Sequence, residues 1–321
     1  MHKHTEAIEG PSETEQPGAV TGVLPVIPTP FLDGGFDAES FSRMLDHMLP
    51  SVDGYTLLGS TGEAPSMTTE ERMAICEHAL AVTPVEKQVV VGVTHTCIAD
   101  GVALAKHAQA HGAAAVLCAV PYYFENSRSG PLGYLRELDA ALEVPLVLYD
   151  NPAATKTKLQ ADQVAEWASA LPQLTAVKLT DHDLTKIDAW HAQGLKVLAG
   201  DDPIAFRYLE GGVDGAMIIA PLLCPEAFRM VWDHIRAGEV AAAYAVFAEE
   251  ILPILHVFGI GDEIATTKAI LAERGIFTSR ELRVPLEAPT PERRRLLSIA
   301  AEVARRATAS RLHETTGEAH A

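Results

Sequence analysis

The sequence predicts a (β/α)8 TIM barrel, an α/β fold in which eight parallel strands alternate with helices. From residue 22 onward, apolar runs of strand length alternate with stretches of helical periodicity, and eight such units follow one another at a spacing of roughly 25 residues. The 321 residues are 48% hydrophobic, which is sufficient for one large packed core. The units share no sequence similarity with one another, so the prediction depends on their spacing and pattern.

The ends of the chain differ from this central region in composition. Residues 1–20 are rich in Glu, Ser, Thr, Pro and Gly and are predicted to be a disordered leader. The barrel is predicted over residues 21–237. Residues 238–308 contain three helical stretches and are predicted to pack on the barrel as a helical extension. Residues 309–321 are predicted to be a flexible tail.

The strands are predicted from short apolar and β-branched runs. They are Gly22–Ile27, Gly54–Gly59, Gln88–Val93, Ala114–Val120, Pro145–Tyr149, Leu174–Thr180, Lys196–Ala199 and Val213–Ile219. The segment between the first strand and the first helix, which includes Asp33, Gly34 and Gly35, is predicted to be a long loop.

The helices are predicted from apolar residues recurring with a helical period. They are Asp37–Leu49, a helix beginning at Thr68, Ile98–His111, Gly130–Leu142, Gln160–Leu171, Leu184–His191, Pro203–Leu209, Pro225–Ala237, Glu239–Phe258, Glu263–Glu273 and Thr290–Arg306. Thr68 and Glu71 have the spacing of a capping box, which fixes the start of the second helix.

The composition excludes several classes of partner. A formal net charge of −18, from 43 acidic and 25 basic residues, argues against a nucleic-acid partner, because phosphates are neutralised by clustered Lys and Arg. No run reaches the length of about 18 apolar residues that a membrane span needs. Residues 1–16 lack the apolar region of a secretory signal. The protein is therefore predicted to be cytoplasmic, without a membrane partner.

The four cysteines are scattered and form no CxxC pair. Each of them, Cys76, Cys97, Cys118 and Cys224, lies in an otherwise apolar helix or strand pattern. They are therefore predicted to be buried free thiols rather than disulfides or zinc ligands.

One lysine lies within a predicted buried strand. Lys178 stands near the C-terminal end of Leu174–Thr180, where a strand buried on both faces would normally be apolar throughout. Period-two geometry places Lys178 on one face with Ala176 and Thr180. Desolvation disfavours the ammonium form, which is how a lysine becomes a nucleophile near neutral pH. The alternative is an amine that reaches solvent at the end of the strand.

Polar residues follow other strands at the same end of the predicted barrel. Gly59–Glu63 ends strand two, Tyr122 and Tyr123 follow strand four, and Tyr149 ends strand five. Barrel enzymes carry their chemistry at the C-terminal ends of the strands. These residues and Lys178 are therefore predicted to share one rim.

These side chains suit carbonyl chemistry. A partly desolvated amine can form a Schiff base with a ketone and so act as an electron sink for making or breaking a C–C bond. Tyr149 could transfer the protons, and Ser60 and Thr61, with nearby loop amides, could bind the carboxylate of a 2-oxo acid. The alternatives are a tyrosine at the edge of the core and an ordinary tight turn. Glu63 is interpreted as structural, holding the loop by accepting backbone N–H bonds.

Four segments together resemble the dihydrodipicolinate synthase/N-acetylneuraminate lyase family. They are Gly59-Ser60-Thr61-Gly62-Glu63, Pro121-Tyr122-Tyr123, Tyr149-Asp150-Asn151-Pro152 and Val177-Lys178. The resemblance extends from about Gly22 to Arg306. It implies a class I lyase that uses or releases pyruvate through a covalent Schiff base, without a metal or other cofactor. It also implies a homotetramer built from dimers.

The resemblance assigns roles to individual residues. Lys178 matches the Schiff-base lysine, and Tyr149 matches the tyrosine that relays the proton. Ser60 and Thr61 match the pair that binds the pyruvate carboxylate, with Ser60 in the proton relay. Tyr123 matches a tyrosine that many members lend across the tight dimer interface.

Positions around strand five separate the branches of the family. The synthase branch has an arginine five residues after the strand-five tyrosine, which holds the carboxylate of aspartate semialdehyde. Here that position is Ala154, and Lys156 and Lys158 nearby lack the planar fork of an arginine. The segment Tyr149–Thr155 instead resembles that of the 2-keto-3-deoxy-sugar-acid aldolases.

Strands six and seven point to the same branch. Leu179 and Thr180 follow the lysine where the synthase branch tends to have Glu-Ala, and a threonine at this place resembles the aldolases, in which it faces substrate hydroxyls. Gly200 ends strand seven, where members often have a glycine or serine near the substrate. The sequence therefore predicts an aldolase acting on a 2-oxo acid, with pyruvate and an aldehyde as partners.

Two other functions remain open at this point. One is 4-hydroxy-tetrahydrodipicolinate synthase activity on pyruvate and aspartate semialdehyde, and the other is an inactive family member that serves as a binding or scaffold protein. His95, after strand three, could tune substrate choice or bond to the backbone. Asp181–Asp183 lacks the convergent spacing of a metal site, so no metal is predicted. Gly200–Asp202 disfavours a phosphorylated substrate.

Overall fold

The protein folds as a (β/α)8 barrel with a helical C-terminal part, as the sequence predicts. This computed structural model describes residues 18–258, 263–291 and 295. The barrel strands are β1 (Gly22–Val23), β2 (Gly54–Leu57), β3 (Gln88–Gly92), β4 (Ala115–Ala119), β5 (Leu146–Asp150), β6 (Leu174–Leu179), β7 (Lys196–Ala199) and β8 (Gly215–Ala216).

All neighbouring strands run parallel, and their order around the sheet follows the chain from β2 to β8, with β1 beside β8. The segment after β1 brings the two edges together. The Thr56 N–H donates to the carbonyl of Pro25 over 2.8 Å, and the Ile27 N–H donates to the carbonyl of Thr56 over 3.0 Å. These bonds join the edge strands, so little of either edge remains unpaired.

The helices lie outside the ring and cover its apolar outer face. They are α1 (Ala38–Met48), α2 (Thr69–Val82), α3 (Ile98–Ala110), α4 (Gly130–Asp139), α5 (Pro152–Thr155), α6 (Ala161–Ala168), α7 (Thr185–His191), α8 (Ala205–Glu210), α9 (Ala220–Leu223), α10 (Pro225–Arg236), α11 (Val240–Val246), α12 (Leu252–Phe258) and α13 (Glu263–Glu273). The predicted capping box of Thr68 and Glu71 is present at the start of α2.

The eighth strand is shorter than the predicted Val213–Ile219. The N–H groups of Ile219 and Ala220 donate to the carboxylate of Asp202 over 2.9 and 2.7 Å rather than to a neighbouring strand. Because these bonds satisfy the first amides of a helix, the chain turns into α9 soon after β8.

The loop predicted between β1 and α1 contains a small hairpin. Phe31–Leu32 pairs antiparallel with Gly35–Phe36. Asp33 and Gly34 connect the two strands with φ angles of 51° and 79°, as a two-residue type I′ turn requires. The prediction of an irregular loop was wrong here, although an Asp-Gly pair is a strong hairpin signal.

The first part of the C-terminal extension runs through α11, a π-helical turn at Phe247–Ile251 and α12. The segment Val240–Val257 is long enough and on average apolar enough to cross a membrane, with a mean hydropathy of 1.5, although Glu249 and Glu250 interrupt its apolar run. Its apolar side chains nevertheless join the protein core, including Ala243, Val246 and Ile254. We therefore interpret it as a core helix.

Some predictions lie wholly or largely outside the described residues. They concern the leader, the tail and most of the helix expected at Thr290–Arg306. The domain boundaries at 20/21 and 237/238 likewise stay predictions.

The four cysteines are free, as predicted. Burial raises the pKa of the thiols of Cys76, Cys118 and Cys224 to about 12. The prediction of burial is confirmed for Cys76 and Cys118, whereas Cys224 is half-buried. It was wrong for Cys97, which is exposed because it occupies the N-cap position of α3 at the end of a loop.

Candidate active site

Lys178 and Tyr149 lie side by side on neighbouring strands. The parallel register pairs Tyr149 on β5 with Lys178 on β6. The Lys178 ammonium nitrogen lies 4.2 Å from the centroid of the Tyr149 ring. Lys178 is only 4% exposed and Tyr149 only 8%. The aromatic face thus contacts the amine directly in a site largely shielded from water, and Lys178 does not extend into solvent.

Asn151 fixes the phenol group of Tyr149. Its side-chain amide donates to the Tyr149 hydroxyl over 2.9 Å. The amide oxygen of the same side chain accepts the Ala154 N–H over 3.1 Å and so caps the short helix α5. Because both ends of the amide are bound, its orientation is set, and the phenol oxygen receives a donor from a fixed direction. No role for Asn151 was predicted from the sequence.

The loop after β2 carries Ser60 and Thr61 at the rim. Ser60 is exposed and Thr61 is half-buried. Leu58 and Glu63, on either side of them, both have a φ angle of 58°, in the left-handed region that non-glycine residues rarely adopt. Such conformations persist only where the surroundings enforce them, and they are common at ligand-binding sites.

A cavity of about 100 Å³ joins this loop to the ends of β3, β4 and β5. Its lining residues include Ser60, Tyr122, Tyr149, Asn151 and Ala154. The other lining residues are Leu58, Gly59, Ala64, Pro65, Thr94, Leu117, Ala119 and Thr155. The cavity therefore combines hydroxyl and amide groups with apolar walls, and no charged side chain of the described residues lines it.

Thr180 and Gly200 lie together at the ends of β6 and β7. The Thr180 hydroxyl donates to the carbonyl of Gly200 over 3.4 Å. A Cβ atom on residue 200 would lie 2.6 Å from both the Thr180 hydroxyl oxygen and the carbonyl oxygen of Leu179. Only glycine allows this close approach, so a larger residue at position 200 would displace the Thr180 side chain from the rim.

The C-terminal part of the chain holds the loop after β2. Lys268 on α13 is fully buried and forms an ion pair with the carboxylate of Glu63, which is equally buried. The Arg283 N–H donates to the same carboxylate over 2.7 Å. Lys268 also donates to the carbonyl of Glu281 over 2.7 Å. Glu63 thus accepts a backbone N–H, as interpreted from the sequence, but the donor lies in a distant segment rather than in its own loop.

We call Glu63, Lys268 and Arg283 the C-terminal clasp. Two aromatic contacts strengthen it, because the Lys268 nitrogen lies 4.3 Å and the Arg283 guanidinium carbon 4.5 Å from the centroid of Phe31. Burial lowers the pKa of Lys268, although the neighbouring carboxylate of Glu63 opposes the shift.

A second ion-pair network lies beneath the rim between β5 and β6. The Lys186 ammonium donates to Asp150 and to Asp181, each over 2.7 Å. Lys158 lies 3.2 Å from the same oxygen of Asp181. Burial raises the pKa of Asp150, although Lys186 opposes this. At Asp181 the hydrogen bonds from both lysines outweigh the effect of burial and hold the pKa below its usual value.

Other candidate residues lie apart from the cavity. Tyr123 is 74% exposed, and its neighbour Tyr122 lines the cavity instead. His95 accepts the Cys97 N–H over 3.0 Å, as the backbone-bonded alternative expects.

The side chains of Asp181–Asp183 have separate partners. Asp181 binds lysines, His182 lies 2.8 Å from Asp201, and Asp183 accepts from Thr185 over 2.5 Å. They do not converge on one point.

Comparison with known proteins identifies the kind of protein that has this fold and site. It is a Schiff-base-forming, pyruvate-dependent lyase. The chain belongs to the dihydrodipicolinate synthetase family, whose model matches residues 19–303.

Curated relatives are similar over most of their length. The 4-hydroxy-tetrahydrodipicolinate synthase of Salinibacter ruber is 30% identical over 288 residues, covering 86% of this chain and 94% of the relative. The synthase of Phenylobacterium zucineum is 28% identical, covering 87% and 95%.

Solved structures share the fold at lower identity. The synthase of Methylacidiphilum fumariolicum SolV has a TM-score of 0.87 at 22% identity and covers 92% of this chain and 99% of its own. The sialic acid aldolase of Ruminococcus gnavus has a TM-score of 0.83 at 22% identity, with coverage of 90% and 98%.

Proposed function

We infer that the protein is an aldolase that cleaves or forms a C–C bond between pyruvate and an uncharged aldehyde. The substrate class is a 2-keto-3-deoxy-sugar acid or a related 2-oxo acid. Lys178 forms the Schiff base, Tyr149 transfers protons, and Ser60 and Thr61 bind the carboxylate of pyruvate. The proposed enzyme acts in the cytoplasm without a metal or other cofactor in the reaction.

The proposed reaction begins with attack of the neutral Lys178 amine on the C2 carbonyl of the 2-oxo acid. The resulting carbinolamine loses its hydroxyl as water, and Tyr149 supplies and recovers the proton. In the cleavage direction, the C3–C4 bond breaks as its electrons move into the iminium. The substrate hydroxyl on C4 gives its proton to the Tyr149 oxygen and becomes the aldehyde. Tyr149 then returns that proton to C3 of the remaining enamine, and water hydrolyses the resulting iminium to pyruvate and the free Lys178 amine as Tyr149 takes up the proton that the water releases.

The proposal of an uncharged aldehyde rests on Ala154. It lines the cavity at the position where the synthase branch has its carboxylate-binding arginine. Lys158 is bound to Asp181 at 3.2 Å, so its charge is already neutralised. A second carboxylate in this apolar-walled cavity would be desolvated without a cationic partner. An uncharged aldehyde avoids that cost.

Synthase activity is the second candidate, because curated relatives carry that name at 25–30% identity. A synthase would condense the same pyruvate Schiff base with aspartate semialdehyde. Steady-state rates with pyruvate and aspartate semialdehyde should be compared with the rates for hydroxyaldehydes and aromatic aldehydes. Efficient turnover of aspartate semialdehyde alone would overturn the aldolase proposal while leaving the Schiff-base step intact.

The Schiff-base step has its own test. The protein is incubated with pyruvate and borohydride, and the adduct is measured by intact mass and located by peptide mapping. We expect one pyruvyl adduct per chain on Lys178. Lys178→Met should abolish the adduct, and the exposed Lys156→Met, a matched control at the same rim, should retain it. An unmodified Lys178 would favour a non-catalytic binding protein.

Tyr123 supports a proposed homotetramer made of two tight dimers. Tyr123 and Phe124 are both exposed, and their rings meet edge to face at 5.0 Å. A pair of exposed aromatic side chains beside the active rim suits an interface. In this proposal Tyr123 completes the site of a second subunit. Light scattering of Tyr123→Ser should reveal smaller particles.

A further inference from the structure

Three potential metal ligands converge on the outer surface of the barrel. His107 lies in the last turn of α3, His111 is the C-cap residue of the same helix one turn later, and Glu77 faces them from α2. The Nε2 atoms of His107 and His111 lie 3.2 and 3.8 Å from one oxygen of Glu77. The three ligand atoms all lie within 4.8 Å of one another.

These distances suit a divalent transition-metal ion. Zinc binds histidine nitrogen and carboxylate oxygen at about 2.1 Å, which puts neighbouring ligands of a tetrahedral ion about 3.4 Å apart. Both observed distances from Glu77 are close to this value. Two histidines separated by one helical turn present their rings on the same face, an arrangement that zinc sites use.

The hydrogen bond of the His111 ring supports a ligand role, whereas His107 would have to exchange a backbone contact for the ion. Nδ1 of His111 lies 2.8 Å from the carbonyl oxygen of His107. A proton on Nδ1 completes that bond and leaves the lone pair on Nε2, the atom that faces Glu77. Nε2 of His107 also lies 3.2 Å from the carbonyl oxygen of Met73. An ion would replace that contact, with the His107 proton carried on Nδ1.

We propose that Glu77, His107 and His111 form a zinc-class metal site that links α2 to α3, with water completing the coordination. The side chains are accessible to an ion, since His107 is 17% exposed, His111 40% and Glu77 53%. The site lies outside the cavity that contains Tyr149. It braces two helices of the barrel and takes no part in the lyase reaction.

Zinc titration of the full-length protein by calorimetry tests this site. We expect His111→Gln and Glu77→Gln to lose one equivalent of bound zinc, or to bind it at least about tenfold more weakly. Zinc should raise the Tm of the wild type more than that of either variant. The visible absorption of bound cobalt should likewise be weaker in either variant than in the wild type.

Two controls separate this site from other ligands. His234 forms a similar pair with Glu239 at 2.6 Å, so His234→Gln should bind zinc as the wild type does. Cys97→Ser removes a ligand from a second group, His95, Cys97 and Asp100. Identical zinc binding by the wild type and His111→Gln would overturn the proposal. Chelation should leave pyruvate trapping on Lys178 unchanged, so the two proposals can fail independently.

Discussion

A single pair of side chains carries the chemistry that we propose for this barrel. Lys178 and Tyr149 come from neighbouring strands and meet because parallel strands keep them in register. The contact with the Tyr149 ring and the surrounding core hold the side chain of Lys178 beside Tyr149 and shield it from water. The amine is thus placed for the proposed attack without extending into solvent.

Removal of the Tyr149 hydroxyl tests its proposed role in proton transfer. We expect Tyr149→Phe to lower kcat by about 10²–10⁴-fold, the usual contribution of a positioned acid or base, with its fold retained. Steady-state kinetics and circular dichroism would measure both effects. The exposed Tyr244 lies on α11, so Tyr244→Phe should match the wild type. Equal rates for all three proteins would exclude the relay.

Thr180 is the residue at which we expect substrate preference to change. Thr180→Val removes the hydroxyl at nearly constant volume and should lower kcat/KM for hydroxyaldehydes roughly three- to tenfold. The value for an aldehyde without hydroxyls should change little. Thr175→Val, at the other end of the same strand, is the matched control. A uniform loss for both aldehydes would argue against recognition of substrate hydroxyls.

At the scale of secondary-structure elements, the Lys186 network joins α7 to the ends of β5 and β6. Removal of one partner leaves a buried charge without compensation. We therefore expect Lys186→Met to lower the free energy of unfolding by about 3–5 kcal/mol. Lys158→Met removes the exposed partner of the same Asp181 and should change stability far less, because solvent screens that ion pair. Urea denaturation would measure both, and equal losses would contradict this explanation.

Asp202 makes the anchoring of α9 depend on pH. Burial raises the pKa of Asp202 to about 7, well above that of an aspartate in the unfolded chain, which is about 4. The folded state therefore binds more protons than the unfolded state between these values. Stability from this group should fall as pH rises from about 4 to 7. Asp202→Asn should reduce that dependence in Tm measurements, whereas Asp162→Asn at the surface should keep it. Parallel Tm curves for the wild type and Asp202→Asn would contradict the prediction.

At the scale of the whole molecule, the sequence predicted what depends on local pattern. The alternation of strand and helix patterns predicted the barrel. The positions of Lys178 and Tyr149 at strand ends predicted that they share one rim. The capping box at Thr68 was also predictable, because it lies within four consecutive residues, Thr68–Glu71. Such features depend on short-range periodicity and on the common direction of parallel strands.

Features that depend on distant contacts were not predictable from the same patterns. Nothing near Glu63 indicates that its partners are Lys268 and Arg283, some 200 residues later. The role of Asn151 was missed because it requires the position of the Tyr149 hydroxyl. The exposure of Cys97 depends on where a loop ends and α3 begins. Each of these three features depends on three-dimensional packing, which the periodicity of the sequence does not reveal.

The C-terminal clasp tests how far the rim depends on the rest of the chain. Lys268→Met leaves the buried carboxylate of Glu63 without its cation, so we expect a higher KM for pyruvate together with lower stability. Lys156→Met, at the exposed rim, should change neither. An unaltered KM in a folded Lys268→Met protein would show that Ser60 and Thr61 hold their positions without the clasp.

The clasp also has a consequence for biosynthesis. A ribosome makes the loop after β2 early, but it makes residues 268 and 283 only after all eight barrel strands. Until then Glu63 has neither Lys268 nor the Arg283 amide as a partner. A nascent chain can thus complete its eight strands while the proposed carboxylate-binding loop still lacks these two contacts. Binding of substrate by this loop would then begin only after residue 283 has been made and has reached Glu63.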